Sequence, residues 1–267
     1  MDQVAKMIRP RGILCDAADV NKTVDFWRSL PGFRKQAVNN TGAVLVCGDF
    51  MVRLRKTDGP PAPVDVPGIR GIEHLALAVQ NAAAAIKEER YARFELNTDR
   101  GSPYENPGVW TYGTLYFDFI WNGGTKVEVC QPLDAEHERD LPYEGISHIG
   151  ICTGDFDQTV KFYQGFGFEA DETLENETEA DGRFVCTMMR KDGCWLEIYQ
   201  LKDVKEQVTG AGAIRGILFA CDDADAVRRA LRDAGATGLA DEPELGDEGF
   251  SIPAPDGTRL FFSKNKS

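Results

Sequence analysis

Hydrophobic and polar positions follow the same order four times along the 267-residue chain. Each copy has a short apolar run, an Asp or Asn turn, apolar positions at helical spacing, a glycine-containing turn and further strand-like segments. In the clearest copy, residues 149–152 predict a strand, Asp155 is the predicted N-cap of a helix and Gly165 is its predicted end. The pattern therefore predicts a βαβββ unit that is repeated four times.

The predicted limits of the four units are residues 8–57, 69–133, 144–203 and 213–265. Consecutive prolines at Pro60 and Pro61 separate the first two units, because they continue neither a helix nor a strand ladder. The helix of the second unit is predicted from Ala82 to about Tyr91. Units of this size have small cores, so we expect them to pack in pairs.

Two of the chain's three histidines recur in one sequence frame. His74 follows Gly-Ile-Glu and His148 follows Gly-Ile-Ser, and Glu128 and Glu197 lie in strand-like stretches near the ends of the same two units. A single histidine or glutamate in a strand is more often a core or surface residue, but four at matching repeat positions favour a shared site. Two imidazoles and two carboxylates predict one divalent ion: Zn²⁺, Ni²⁺, Co²⁺, Mn²⁺ or Fe²⁺. The third histidine, His137, lies in a charged connector and is predicted to be exposed.

A βαβββ unit with a histidine on its first strand and a glutamate on its last resembles the glyoxalase / bleomycin resistance / extradiol dioxygenase superfamily, which has the vicinal oxygen chelate fold. The resemblance covers nearly the whole chain. It implies an α+β fold in which four modules form two paired, cavity-enclosing sheets. In ligand set the chain is most similar to glyoxalase I and metal-dependent epimerases. The resemblance implies His74, Glu128, His148 and Glu197 as metal ligands, with Glu197 or Glu128 as the catalytic base.

The first and fourth units depart from this ligand pattern. Alignment of the turns places Gly12 and Gly216 at the histidine positions. At the glutamate positions the first unit has Val52 or Arg53, and the fourth has Phe261. None of these side chains is a suitable metal ligand. We therefore expect one metal site between the second and third units, and an outer pair that is structural or binds something else.

The resemblance implies a metal-dependent enzyme, either a glyoxalase I-like lyase or an isomerase or epimerase. Such an enzyme abstracts a proton next to a metal-bound carbonyl and passes through an enolate, so the expected partner is a small-molecule carbonyl substrate. Two alternatives stay open. One is an extradiol-type dioxygenase, although its site resembles two histidines and one glutamate. The other is a metal-free ligand-binding or resistance protein of the same fold.

Charge and cysteine content limit the remaining classes of function. The net charge is −13 and the isoelectric point about 4.8, which argues against binding to nucleic acid or to anionic membranes. The seven cysteines are widely spaced, and no Cys-x-x-Cys pair occurs. Reduced, buried cysteines in a cytoplasmic protein are the expected state. Four units in one chain are compatible with a monomer or a homodimer.

Overall fold

The computed structural model describes residues 1–61, 70–96, 104–106, 113–121, 124–133, 145–178, 182–201 and 212–264. Its elements, in chain order, are α1 (Asp2–Met7), β1 (Ile8–Ala17), α2 (Val20–Ser29), β2 (Arg34–Asn39), β3 (Gly42–Cys47), β4 (Phe50–Lys56), β5 (Gly71–Ala78), α3 (Ala82–Ala85), α4 (Glu89–Ala92), β6 (Tyr104–Asn106), β7 (Thr114–Trp121), β8 (Thr125–Pro132), β9 (Gly145–Cys152), α5 (Phe156–Gly165), β10 (Glu169–Ala170), β11 (Leu174–Thr178), β12 (Gly182–Lys191), β13 (Cys194–Leu201), β14 (Ile214–Cys221), α6 (Ala224–Asp233), β15 (Ala240–Asp241), a short 3₁₀ helix (Pro243–Leu245), β16 (Phe250–Pro253) and β17 (Arg259–Lys264).

The strands form two sheets that each combine two distant parts of the chain. The inner sheet has the order β10-β12-β13-β9-β5-β8-β7-β6, with β11 added on β12. The outer sheet has the order β15-β16-β17-β14-β1-β4-β3-β2. In each sheet the central pair is antiparallel and is flanked by parallel partners, β8 and β13 in the inner sheet and β4 and β17 in the outer sheet.

This arrangement confirms the predicted α+β fold with two paired sheets. The limits of the individual units stay a prediction, since residues 69, 144, 203 and 265 lie outside the described part of the chain.

The three longest helices begin in the same way. The carboxylates of Asp19, Asp155 and Asp223 each accept a hydrogen bond from the backbone N–H three residues later, at 3.1, 3.0 and 2.8 Å. The second unit differs, because its predicted helix is divided into α3 and α4. The break lies before Glu88, whose backbone is extended (φ −71°, ψ 141°), so the helical hydrogen-bond ladder stops there.

One hydrophobic core joins the helices to one face of each sheet. It contains Trp27, Tyr163, Phe219 and Phe262, all nearly inaccessible to solvent, and apolar residues of every longer strand in the centre of both sheets. Successive strand residues point to opposite faces. On β8, for example, Val127 and Val129 are core residues, so Glu128 points to the opposite face. The face opposite this core carries the candidate site.

The state of the cysteines and the hydropathy of the helices complete the description of the fold. All seven cysteines are free thiols; six are buried and Cys194 is partly exposed. Within the described ranges, no helix combines the length and the hydropathy needed to cross a membrane.

Candidate metal centre

His74 lies at a β-bulge in the central strand pair of the inner sheet. Between the paired residues Ile72–Ile151 and His74–Gly150, β5 has one extra residue, Glu73. Such bulges redirect side chains and are common beside functional sites. A Cβ atom on Gly150 would lie 2.0 Å from Cε1 of His74. The glycine on β9 therefore leaves the space that the imidazole ring occupies.

His148 lies at a matching bulge on β9. Ser147 and His148 together lie opposite the single residue Ala76 of β5. The flanking parallel strands then bring one glutamate beside each small residue. Glu128 pairs with Ala76, and Glu197 pairs with Gly150. Each small residue therefore leaves room between a histidine and a glutamate.

The four predicted ligands meet at one point. The Nε2 atoms of His74 and His148 are 3.2 Å apart, and each lies 3.4 Å from Oε2 of Glu197. The carboxylate of Glu128 is 3.7 Å from Nε2 of His148 and 4.0 Å from Nε2 of His74. Both histidines are buried, and the side chains of Glu197 and Glu128 are 7% and 13% exposed. Single ligand atoms of His74, Glu128 and His148 all lie within 4.8 Å of one another, which suits one metal ion.

The charges at this point favour a cation. Burial lowers the pKa of His74, but hydrogen bonds to Glu197 and Glu73 outweigh burial and raise the pKa to about 10. Burial raises the pKa of Glu197, but hydrogen bonds from the two imidazoles lower it to about 2. Burial also raises the pKa of Glu128, and the more distant imidazoles do not compensate. Positive charge between the carboxylates thus stabilises their ionised form, and a divalent cation would supply that charge. The residues fit a metal.

A second layer of polar residues lies behind His74. Glu73 contacts Nδ1 of His74 at 3.1 Å through Oε2, and its Oε1 accepts a hydrogen bond from Nζ of Lys126 at 2.9 Å. The hydroxyl of Tyr199 also donates a hydrogen bond to Oε2 of Glu73. Asp118, paired with Glu128 across β7 and β8, lies 3.7 Å from Nζ of Lys126. Burial raises the pKa of Glu73, but the charge of Lys126 and the bond to His74 outweigh it and hold the pKa well below its usual range.

The residues behind His148 and Glu197 are less charged than those behind His74 and Glu128. Nδ1 of His148 contacts the hydroxyl of Ser147 at 3.0 Å. Where Asp118 lies beside Glu128, the buried Met188 lies beside Glu197. The thiol of Cys186 is 3.9 Å from Oε1 of Glu197. Each half of the site therefore supplies one histidine and one glutamate, but the residues behind these ligands differ.

Glu73, Lys126 and Tyr199 were not identified as site residues from the sequence. Strand alternation offered a signal for two of them, because Lys126 precedes Glu128 by two positions and Tyr199 follows Glu197 by two. Glu73 gave no such signal. Neighbours in a regular strand point to opposite faces, and only the bulge brings Glu73 and His74 together. His137 lies outside the described residues.

The outer sheet repeats the bulges without the ligands. Arg11 is the extra residue of β1 before the Gly12–Leu218 pair, and Arg215 is the extra residue of β14 after the Leu14–Gly216 pair. Gly12 and Gly216 thus occupy the positions that correspond to His74 and His148. A Cβ atom on Gly12 or Gly216 would lie 1.8 Å from the backbone oxygen of Met51 or Arg259, respectively. Neither position accepts a side chain without movement of the backbone.

The remaining outer positions are filled by apolar and arginine side chains. Because Met51 pairs with Gly12, the register places Arg53, and not Val52, at the glutamate position of the first unit. Arg53 donates a hydrogen bond to the backbone carbonyl of Glu244. Phe261 occupies the glutamate position of the fourth unit, beside Leu218. A buried cluster fills the space between the strands and consists of Leu14, Leu218, Leu245 and Phe261, with Met51 packed against it.

Residues 145–260 match the family model of the Glyoxalase/Bleomycin resistance protein/Dioxygenase superfamily. This part of the chain therefore belongs to that superfamily. No curated protein matches the chain significantly. Among solved structures, the chain is similar to glyoxalase I from Zea mays, with a TM-score of 0.68 and 19% identity over 99% of this chain and 95% of that one. It is also similar to a candidate dioxygenase from Bacillus subtilis, with a TM-score of 0.64 and 16% identity over 98% of this chain and 86% of that one. At these identities the similarity shows a common fold.

Proposed function

We propose that the chain is an enzyme that binds one divalent metal ion and moves a proton at a carbon next to a carbonyl group. The proposal is supported by the convergence of four side chains: the carboxylates of Glu128 and Glu197 each lie within 4.0 Å of Nε2 of both His74 and His148, and these two Nε2 atoms are 3.2 Å apart. Mixed nitrogen and oxygen ligands suit Zn²⁺, Ni²⁺, Co²⁺, Mn²⁺ or Fe²⁺. When bound, such an ion acts as a Lewis acid that polarises a substrate carbonyl and acidifies the adjacent C–H.

The protein's own residues divide the work between binding and proton transfer. His74 and His148 would hold the ion through Nε2, while their Nδ1 atoms contact Glu73 and Ser147. The glutamates are the groups that can accept a proton from carbon. They come from β8 and β13, on either side of the central strand pair, so they can serve opposite faces of a substrate. This arrangement suits an isomerase or epimerase as well as a lyase.

The two glutamates are unequal candidates for the base. The resemblance to the superfamily assigns this role to Glu197. The distances favour Glu128, because it lies farther from both imidazoles than Glu197 and has the more exposed side chain. A carboxylate that is held less tightly is easier to turn toward a substrate. Matched substitution of the two glutamates distinguishes these assignments.

Deuterium exchange tests the reaction class directly. The full chain is loaded with each of the five metals in turn and incubated in D₂O with α-hydroxy carbonyl compounds, hemithioacetals and acyl-thioesters. We expect NMR to detect deuterium next to the carbonyl of one of these classes. Of the two substitutions Glu128→Gln and Glu197→Gln, the one at the catalytic base should abolish the exchange, and the other should reduce it less. Glu244→Gln, in the 3₁₀ helix between β15 and β16, is the control and should leave the exchange unchanged.

Three outcomes would contradict the proposal. Oxygen consumption with the Fe²⁺-loaded chain and a catechol would identify a dioxygenase instead. Ligand binding without exchange in any substrate class would favour a binding protein. A purified chain that takes up no stoichiometric metal would exclude the proposed site itself. The second glutamate argues against the dioxygenase, since it occupies a coordination position that dioxygen or a catechol requires.

A further inference from the structure

The carboxylate of Glu73 connects three side chains from both halves of the inner sheet. Oε2 lies 3.1 Å from Nδ1 of His74, and Oε1 lies 2.9 Å from Nζ of Lys126. The hydroxyl of Tyr199, on β13, donates its hydrogen bond to Oε2. The Glu73 side chain is 23% exposed and Lys126 is 19% exposed, so solvent competes little for these bonds. Three contacts on a single carboxylate fix its orientation.

We infer that Glu73 is a positioning residue that holds His74 as its Nδ1–H tautomer and strengthens Nε2 as a metal ligand. The inference rests on the proposed metal site. A carboxylate accepts only, so the hydrogen on Nδ1 must belong to His74. Nε2 faces the centre, 3.2 Å from Nε2 of His148, and its lone pair becomes available to a metal ion when Nε2 gives up its hydrogen. An imidazole that donates to a carboxylate is the more basic ligand, and such partners affect metal affinity strongly.

His148 has a weaker partner and serves as the internal comparison. Its Nδ1 lies 3.0 Å from the hydroxyl of Ser147, which can either donate or accept. Ser147 carries no charge and leaves the tautomer of His148 less constrained. The two bulges therefore present two unequal imidazole ligands, and the carboxylate-backed His74 is the stronger one.

Tyr199 and Lys126 hold Glu73 in turn. The Tyr199 ring lies nearly parallel to the ring of His74, with an interplanar angle of 27° and centroids 6.4 Å apart. Tyr199 comes from the third unit and Glu73 from the second, so the network couples the two halves of the site. Removal of the Tyr199 hydroxyl should loosen Glu73 without removing its charge.

The test uses the small number of histidines, three in the whole chain. Long-range ¹H–¹⁵N NMR of the uniformly labelled full chain resolves each imidazole and reports its tautomer, with and without Zn²⁺. We expect Nδ1 of His74 to carry a hydrogen in both samples, and Nε2 to have lost its hydrogen in the sample with Zn²⁺. The dissociation constant for Zn²⁺, measured by chelator competition, should rise about 10–100-fold in Glu73→Gln and by less in Tyr199→Phe. Ser147→Ala is the matched control and should change affinity least.

Two results would overturn the inference. One is an Nε2–H tautomer for His74 in the unloaded wild-type chain. The other is an equal loss of Zn²⁺ affinity in Glu73→Gln and Ser147→Ala, with both chains folded by circular dichroism. If Glu73→Gln does not fold, Tyr199→Phe against Ser147→Ala gives the same comparison. A wild-type chain that binds no Zn²⁺ contradicts the proposed function, whereas the tautomer measurement still decides the role of Glu73.

Discussion

The inner and outer sheets share one scaffold and fill it in opposite ways. At the bulges of the inner sheet, the large rings of His74 and His148 lie opposite the small residues Gly150 and Ala76. In the outer sheet the order of sizes is reversed, and Gly12 lies opposite Leu218. Side-chain volume is thus conserved across each strand pair while the chemistry changes. In the outer sheet, which lacks the metal ligands, an apolar cluster fills the space between the strands.

The charges of the two sheets differ in the same way. In the inner sheet, two carboxylates and two imidazoles point at one spot. In the outer sheet, the carboxylate of Asp16 accepts hydrogen bonds from Arg55 at 2.9 Å and from Arg215 at 2.6 Å. Arg55 also reaches Glu244, at 3.0 Å. These charges are satisfied by one another, which is typical of a structural cluster and not of a ligand site.

The largest expected effect is the loss of metal from the inner sheet. Removal of a ligand should cost more than the 10–100-fold that outer partners typically contribute, so we expect His148→Ala to weaken Zn²⁺ binding by more than about 100-fold. Metal analysis after dialysis measures this directly. His137→Ala is the control, since that histidine is predicted to lie outside the site. Stoichiometric zinc in the His148→Ala chain would contradict the ligand assignment.

Two glycines, one at a bulge of each sheet, should give different losses when they are substituted. Gly12 has φ +151°, and a Cβ there would collide with the backbone of Met51, so Gly12→Ala should destabilise the fold by at least about 3 kcal/mol. Gly150→Ala should instead displace the ring of His74 and weaken metal binding. Urea unfolding and metal titration separate the two effects. Gly59→Ala, with no neighbour within 4 Å of its Cβ, is the control.

The cluster that fills the outer sheet should contribute stability and leave metal binding unchanged. Leu245 is 4% exposed and packs with Leu14, Leu218 and Phe261. Leu245→Ala should lower the free energy of unfolding by about 2–5 kcal/mol because it leaves a cavity. Zn²⁺ affinity of the folded variant should equal that of the wild type. A change in metal affinity would show that the two sheets are coupled.

The smallest expected effect is that of removing a helix cap, a feature that the third and fourth units have in common. Asp155 caps the helix of the third unit and Asp223 that of the fourth. Each Asp→Ala substitution should cost about 1 kcal/mol in urea unfolding, since each removes one cap hydrogen bond. Equal losses would support a common scaffold. A much larger loss at Asp155 alone would indicate that α5 has a role that α6 lacks.

The sequence predicts the repeat well because the repeat is a matter of spacing. Apolar periodicity and the aspartate caps were sufficient to predict where the three longest helices begin, and the His and Glu positions follow from comparison of the predicted units. The packing of the outer sheet was not predictable. Leu245 comes from a 3₁₀ helix between β15 and β16, and nothing in its local sequence indicates that it reaches Leu14.

The network around Glu73 was hidden for a different reason. Strand alternation predicts opposite faces for Glu73 and His74, and the bulge reverses that prediction. A bulge depends on the register between two distant strands, which a single sequence does not reveal. The break between α3 and α4 was also not predictable from the sequence. The helical spacing of apolar residues continues through Glu88, although the backbone of Glu88 is extended.

Anomalous diffraction from crystals of the Zn²⁺-soaked full chain would show directly where the metal binds. We expect one strong anomalous peak per chain, within bonding distance of Nε2 of both His74 and His148. We expect no peak beside Gly12 and Gly216. A peak in the outer sheet, or no peak between the two histidines at full zinc loading, would contradict a single metal site in the inner sheet.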